Sequence, residues 1–137
     1  MKPEYLAEVG RQIAFLSAFL GGFAATFLGI LLQISNPRRY VGWAAGAAAV
    51  ASTSFILAVI AGTAVVLVVH PDAPAGMAKP TFLPQVREVI FTTFALGIYA
   101  ILLSLGLSGW IRSRALGMIT SGSAFIAAVV VTLFVKW

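Results

Sequence analysis

The side chains able to carry chemistry are few, and they keep away from the apolar parts of the chain. The acids are Glu4, Glu8, Asp72 and Glu88, and the one histidine is His70, just before Pro71 and Asp72. The bases are Lys2, Arg11, Arg38, Arg39, Lys79, Arg87, Arg112, Arg114 and Lys136. A lone histidine cannot make a metal site, because ligands come in sets of three or four. With no cysteine there are no disulfides, thiolate sites or thiol chemistry. Hydroxyls are plentiful, and Ser52-Thr53-Ser54 is the most polar point of any apolar stretch. A nucleophile needs a base beside it, and none lies among these hydroxyls. Their expected role is to bond their own helix backbone or a neighbouring helix. The sequence therefore assigns no catalytic, cofactor-binding or metal-binding residue. The expectation is a protein that is not an enzyme and carries no cofactor.

The elements around these residues are set by composition. Of 137 residues, 61% are hydrophobic and 9% charged. Soluble domains carry about 25% charged residues. So apolar a surface suits lipid as the solvent. Four stretches hold no charge: Gln12–Pro37, Tyr40–Pro71, Val89–Ile111 and Ala115–Val135. Each exceeds the ~20 residues a helix needs to cross a hydrocarbon core of about 30 Å. In lipid the backbone must satisfy its own hydrogen bonds, so helices are expected rather than strands. The spans predicted are Ile13–Ile34, Val41–Val69, Val89–Ile111 and Ala115–Val135. All six prolines (3, 37, 71, 74, 80 and 84) fall outside them, as proline's missing donor requires.

Two lead-ins resemble one another. Lys2-Pro3-Glu4-Tyr5-Leu6-Ala7-Glu8-Val9 reads against Lys79-Pro80-Thr81-Phe82-Leu83-Pro84-Gln85-Val86. With Gly10 skipped, Arg11 meets Arg87, Phe15 meets Phe91, Ser17 meets Thr93, and Leu20 meets Leu96. Gly21 then meets Gly97, Phe23 meets Tyr99, and Ala24 meets Ala100. Farther on, Arg38 meets Arg114, Gly46 meets Gly122, Ala48 meets Ala124 and Ala51 meets Ala127. Shared hydrophobicity accounts for matches within the spans, but not for the lead-in or the arginine after it. The expected fold is an all-α integral membrane domain over residues 1–137. Its four transmembrane helices form two tandem-duplicated hairpins, at 1–70 and 78–137, joined by a loop at 71–77. Two crossings per unit give both units one orientation, so the repeat is parallel.

Lipid gives helices no hydrophobic reason to associate, so small residues and hydroxyls must hold them. Ser17, Gly21, Ala25 and Gly29 form one ridge, with Gly22 and Thr26 beside it. Gly42, Gly46, Ser54, Ala58 and Gly62 form another. Small faces on every helix predict homo-oligomerisation as well as internal packing. The expected partners are the lipid bilayer, further copies of the chain, and a membrane or peripheral protein, with no nucleic acid. The lead-ins are expected to lie along the membrane surface or to dock a partner. Trp43 and Trp110 on one side, with Tyr5, Phe82 and Trp137 on the other, fit interfacial belts.

Arg38, Arg39, Arg112 and Arg114 crowd the short turns at 35–40 and 108–114. These turns are expected on the cytoplasmic side of a bacterial inner (plasma) membrane. Three function classes fit. The first is a non-enzymatic oligomeric component or accessory subunit of a membrane assembly. The second is an oligomeric pore or permeabilising protein lined by Ser, Thr and Gly. The third is a carrier of an uncharged solute between the hairpins. Coupled transport is disfavoured, because intramembrane charge is absent.

Overall fold

The computed structural model describes residues 3–35, 39–70, 73–74 and 82–135. They form four helices: α1 (Pro3–Leu32), α2 (Arg39–Val69), α3 (Phe82–Arg112) and α4 (Arg114–Val135). Each is long and apolar enough to cross a membrane. All four charge-free stretches are helical over their described residues, as expected of chains that must satisfy their own backbone.

The helices begin earlier than the predicted spans. α1 runs unbroken from Pro3 and α3 from Phe82, so the described parts of both lead-ins continue the helix axis. They do not form separate segments lying along a surface. Pro84 falls in the first turn of α3. There the missing N–H removes no intrahelical bond. Most of the 71–77 loop, along with Lys79, Pro80 and Trp137, lies outside the described residues.

The packing order is α1 on α2, α2 on α3, and α3 on α4, with α1 touching α3 only slightly. Among the described residues, α4 has α3 as its only helix neighbour. The bundle is thus an open row, and α2 is its centre. The largest fully buried side chain is Phe55, halfway along α2. Ala24 of α1, Ala51 of α2, and Ala100 and Ile101 of α3 surround it. A second cluster toward the basic turns joins Leu31 to Ala44, Ala45 and Ala48. The core is mostly alanine, which lets the backbones approach closely.

The two turns differ. Residues 33–38 separate α1 from α2, whereas Ser113 alone separates α3 from α4. Its hydroxyl accepts a bond from the Leu116 N–H at 3.2 Å and caps α4. So short a reversal forces the helices together at once, and Gly109 makes this possible. A Cβ on Gly109 would lie 2.7 Å from the Leu116 carbonyl oxygen and would clash with the Thr120 hydroxyl.

Candidate functional site

The interior offers small residues and hydroxyls, and each seam uses them differently. The α1–α2 seam is built on close backbone approach. A Cβ at Gly62 would meet the Gly10 carbonyl oxygen at 2.8 Å and the Ala14 Cβ at 3.1 Å. Among the described residues no side-chain hydrogen bond crosses this seam. Ser17 lies within it, fully buried, and its hydroxyl has no partner among the described residues.

Among the described residues the α2–α3 seam has one polar tie. Ser104 is fully buried and donates to the Ala44 carbonyl at 2.7 Å. Near the basic turns, Tyr40 stacks on Trp110 with ring centroids 6.2 Å apart.

The α3–α4 seam is the most hydroxylated. Thr120 and Ser121 both donate to the Gly106 carbonyl, at 3.1 and 3.2 Å. The indole N–H of Trp110 donates to Ser121 at 2.9 Å. Toward the other end, the Tyr99 and Thr132 hydroxyls lie 2.8 Å apart. Between these ties the helices splay into a cleft of about 420 Å³, lined by Leu102, Leu103, Ala124, Phe125 and Ala128. Its few polar groups already bond one another, so the cleft suits an apolar occupant.

The residues singled out by sequence are scattered. Ser54 is buried in the core of α2. Thr53 is exposed and donates back to the Ala49 carbonyl at 3.0 Å. Ser52 is half-buried beside Ser17, Gly21 and Gly22. The triplet therefore points three ways and lines no shared path within one chain. Exposed His70 follows the end of α2, and its carbonyl accepts the Ala73 N–H at 2.9 Å. Among the described residues, no three His, Cys, Asp or Glu side chains cluster as metal ligands would.

Sequence reading passed over one feature, the apposition of small residues and aromatics. Gly97 lies against the Phe55 ring, and Gly117 against the Trp110 indole. A glycine three to four residues from a hydroxyl was the available signal, but it does not say which aromatic fills the gap.

No protein-family model matches the chain, and no curated protein or solved structure matches it significantly.

Proposed function

We propose that this chain is a multi-pass membrane protein acting as a non-enzymatic, oligomeric component or accessory subunit of a membrane assembly. The observation that carries this reading is the outward face of α2. Gly42 and Gly46 stand one helical turn apart and are exposed. A Cβ on either would meet nothing within 4 Å. Their small size serves no contact inside the chain. In lipid, a Gly-x-x-x-Gly pair is a typical site of close helix association. Gly22 and Gly29 on α1, and Gly122 on α4, are open in the same way.

Membrane insertion is supported by what the fold leaves outside. Phe15, Phe19 and Phe125 are each at least 70% exposed, on faces no helix covers. Water disfavours such faces, and lipid tails do not. The basic turns carry Arg39, Arg112 and Arg114 at one end of the row, which suits a cytoplasmic side.

The parallel-repeat reading rests on the sequence alignment, whose small residues meet at Phe55. Gly21 and Gly97 align between the units, and both abut this one residue. Ala24 and Ala100 also align, and both pack around it. α1 and α3 thus both bring these aligned residues to α2, an arrangement the repeat does not itself require.

A pore would need hydroxyls from several copies around a shared axis, and Ser52 is the member of the triplet placed to contribute. A carrier working between the hairpins would need the α2–α3 seam to open, where Phe55 and the Ser104 bond now sit. The oligomeric-component reading needs neither step.

The test is the mass of the detergent-purified chain by native mass spectrometry, for the natural protein and for Gly46→Leu. More than one copy in the natural protein, and one copy in the variant, is the expected result. A single copy in both, with no second protein retained by crosslinking, would overturn the reading.

A further inference from the structure

Along the α1–α2 seam the two helices leave an open hollow of about 210 Å³. Ala18, Gly22 and Ala25 of α1 edge it, Ser52 and Ile56 of α2 stand opposite, and buried Ser17 lines its base. We propose that this hollow receives α1 of a second copy, so that two α1 helices pair in parallel about a two-fold axis along the membrane normal. The inference rests on the oligomer reading above and names the face of α1 that joins it.

The first observation is unpaired polarity. The Ser17 hydroxyl is fully buried and bonds nothing among the described residues. Ser52 is half-buried and also has no hydrogen bond among them. Both line this one hollow. Nearby hydroxyls behave differently. Thr26 donates to the Gly22 carbonyl at 2.9 Å, and Thr53 to the Ala49 carbonyl at 3.0 Å. Both serines lie inside charge-free stretches, deeper than lipid headgroups sit. Acyl chains carry no acceptor for them, and an unbonded hydroxyl in an apolar medium is costly. The carbonyls of another helix are acceptors. The chain already makes such a bond between helices, from Ser104 to the Ala44 carbonyl at 2.7 Å. In a separated chain Ser17 and Ser52 stay unpaired; in the pair, carbonyls of the second α1 accept from them.

The second observation is room for a backbone. Gly22 is exposed, and a Cβ there would meet nothing within 4 Å. Exposed Ala18 stands one turn before it. Small residues four apart let a second helix come close.

The third observation identifies the partner. Phe15, Phe19 and Phe23 stand four apart and form a ridge on α1. Phe15 and Phe19 are 74% and 71% exposed. Ala18 and Gly22 lie three residues beyond Phe15 and Phe19, so they form the adjacent row. The hollow lies on the far side of that row. Ridge and hollow therefore flank one row of one helix. A two-fold axis beside this row brings the ridge of each copy to the hollow of the other, as a self-complementary interface requires. Copies inserted alike in one membrane have parallel α1 helices, which this axis needs.

The natural chain has no cysteine, so one introduced cysteine reports a single contact. The experiment oxidises Gly22→Cys, Gly46→Cys and Gly122→Cys in proteoliposomes, beside native mass spectrometry of the natural chain. At all three glycines a Cβ meets nothing within 4 Å, so the substitutions leave the fold alone. Gly22→Cys should give a disulfide-linked dimer, because the axis brings its two copies within the roughly 7 Å between Cα atoms that a disulfide spans. Gly122→Cys, on α4, should not. A single copy of the natural chain, with no linkage at any of the three, overturns the oligomer reading itself. Several copies without linkage at Gly22, or equal linkage at Gly22 and Gly122, overturns only the α1 pairing. Energy transfer between labelled copies in micelles then measures affinity. Phe19→Ala should raise the dissociation constant about tenfold, and Ser52→Ala about threefold. Phe125→Ala, on an equally exposed residue of α4, should leave it unchanged. Equal effects of Phe19→Ala and Phe125→Ala overturn the pairing.

Discussion

The ring of Phe55 lies so close to Gly97 that a Cβ there would come within 2.8 Å of its Cε1. From α1, a Cβ on Gly21 would be 3.2 Å from the Cβ of the same phenylalanine. One side chain thus sets the spacing of three helices. Phe94 meets it edge-on, with centroids 6.1 Å apart and planes at 67°, an arrangement aromatic pairs favour.

Gly97→Ala should therefore destabilise the fold by about 1–3 kcal/mol, the usual cost of overpacking. The ring is walled in and cannot easily move aside. Gly22→Ala meets nothing within 4 Å and should be neutral or slightly stabilising, since alanine favours helix. Unfolding by sodium dodecyl sulfate in mixed micelles, followed by circular dichroism, compares the two. Equal midpoints would contradict the packing described.

Gly109→Val should loosen α4 alone. The added groups collide with the Leu116 carbonyl and Thr120, while α1, α2 and α3 keep their own seams. Hydrogen exchange read by mass spectrometry should rise over residues 114–135 and change little over 39–69. Uniform exchange along the whole chain would mean that α4 is needed for the other three to pack.

Two serines should respond with opposite signs. Ser17 is buried with no partner for its hydroxyl, so Ser17→Ala removes a desolvated group and should stabilise by about 1 kcal/mol. Ser104→Ala removes the bond to Ala44 and should cost about 0.6–1.7 kcal/mol, the range for side-chain bonds between membrane helices. The same micelle titration measures both. A loss of stability in Ser17→Ala would contradict an unpartnered hydroxyl at this position.

The purified chain in a planar bilayer should be electrically silent beyond a mock-purified control. Its hydroxyls mostly bond their own backbone or an adjacent helix. Discrete conductance steps that vanish on Ser52→Leu would instead favour the oligomeric pore.

Helix number and approximate position were legible because charge marks the ends of each apolar stretch. Arg38 and Arg39, Arg112 and Arg114 bracket the turns, and Val89 opens the third span where Glu88 closes the lead-in. The true helix starts were less legible. A lead-in carrying Glu4, Glu8 and Arg11 is too polar to read as span, yet backbone bonding carries the helix through it without a break. The turns also misled. Both looked alike in charge, but one takes residues 33–38 and the other Ser113 alone. That difference depends on whether two backbones can touch, as they do at Gly109, which charge does not encode.

The small-residue ridges were visible as spacing, and their use was not. Gly62 and Gly42 share one ridge in sequence, yet Gly62 is pressed on Gly10 while Gly42 is open. A helix face acquires a meaning only when a neighbour is chosen. What the sequence by itself determined is local: apolar stretches long enough to span, and a backbone that can satisfy its donors there only as helix. The tertiary structure decided the open row, the central place of Phe55, the lone attachment of α4 to α3, and which glycines face outward. These depend on how closely particular backbones approach. On the membrane reading proposed above, burial alone favours no arrangement in lipid, and that fit is what selects one.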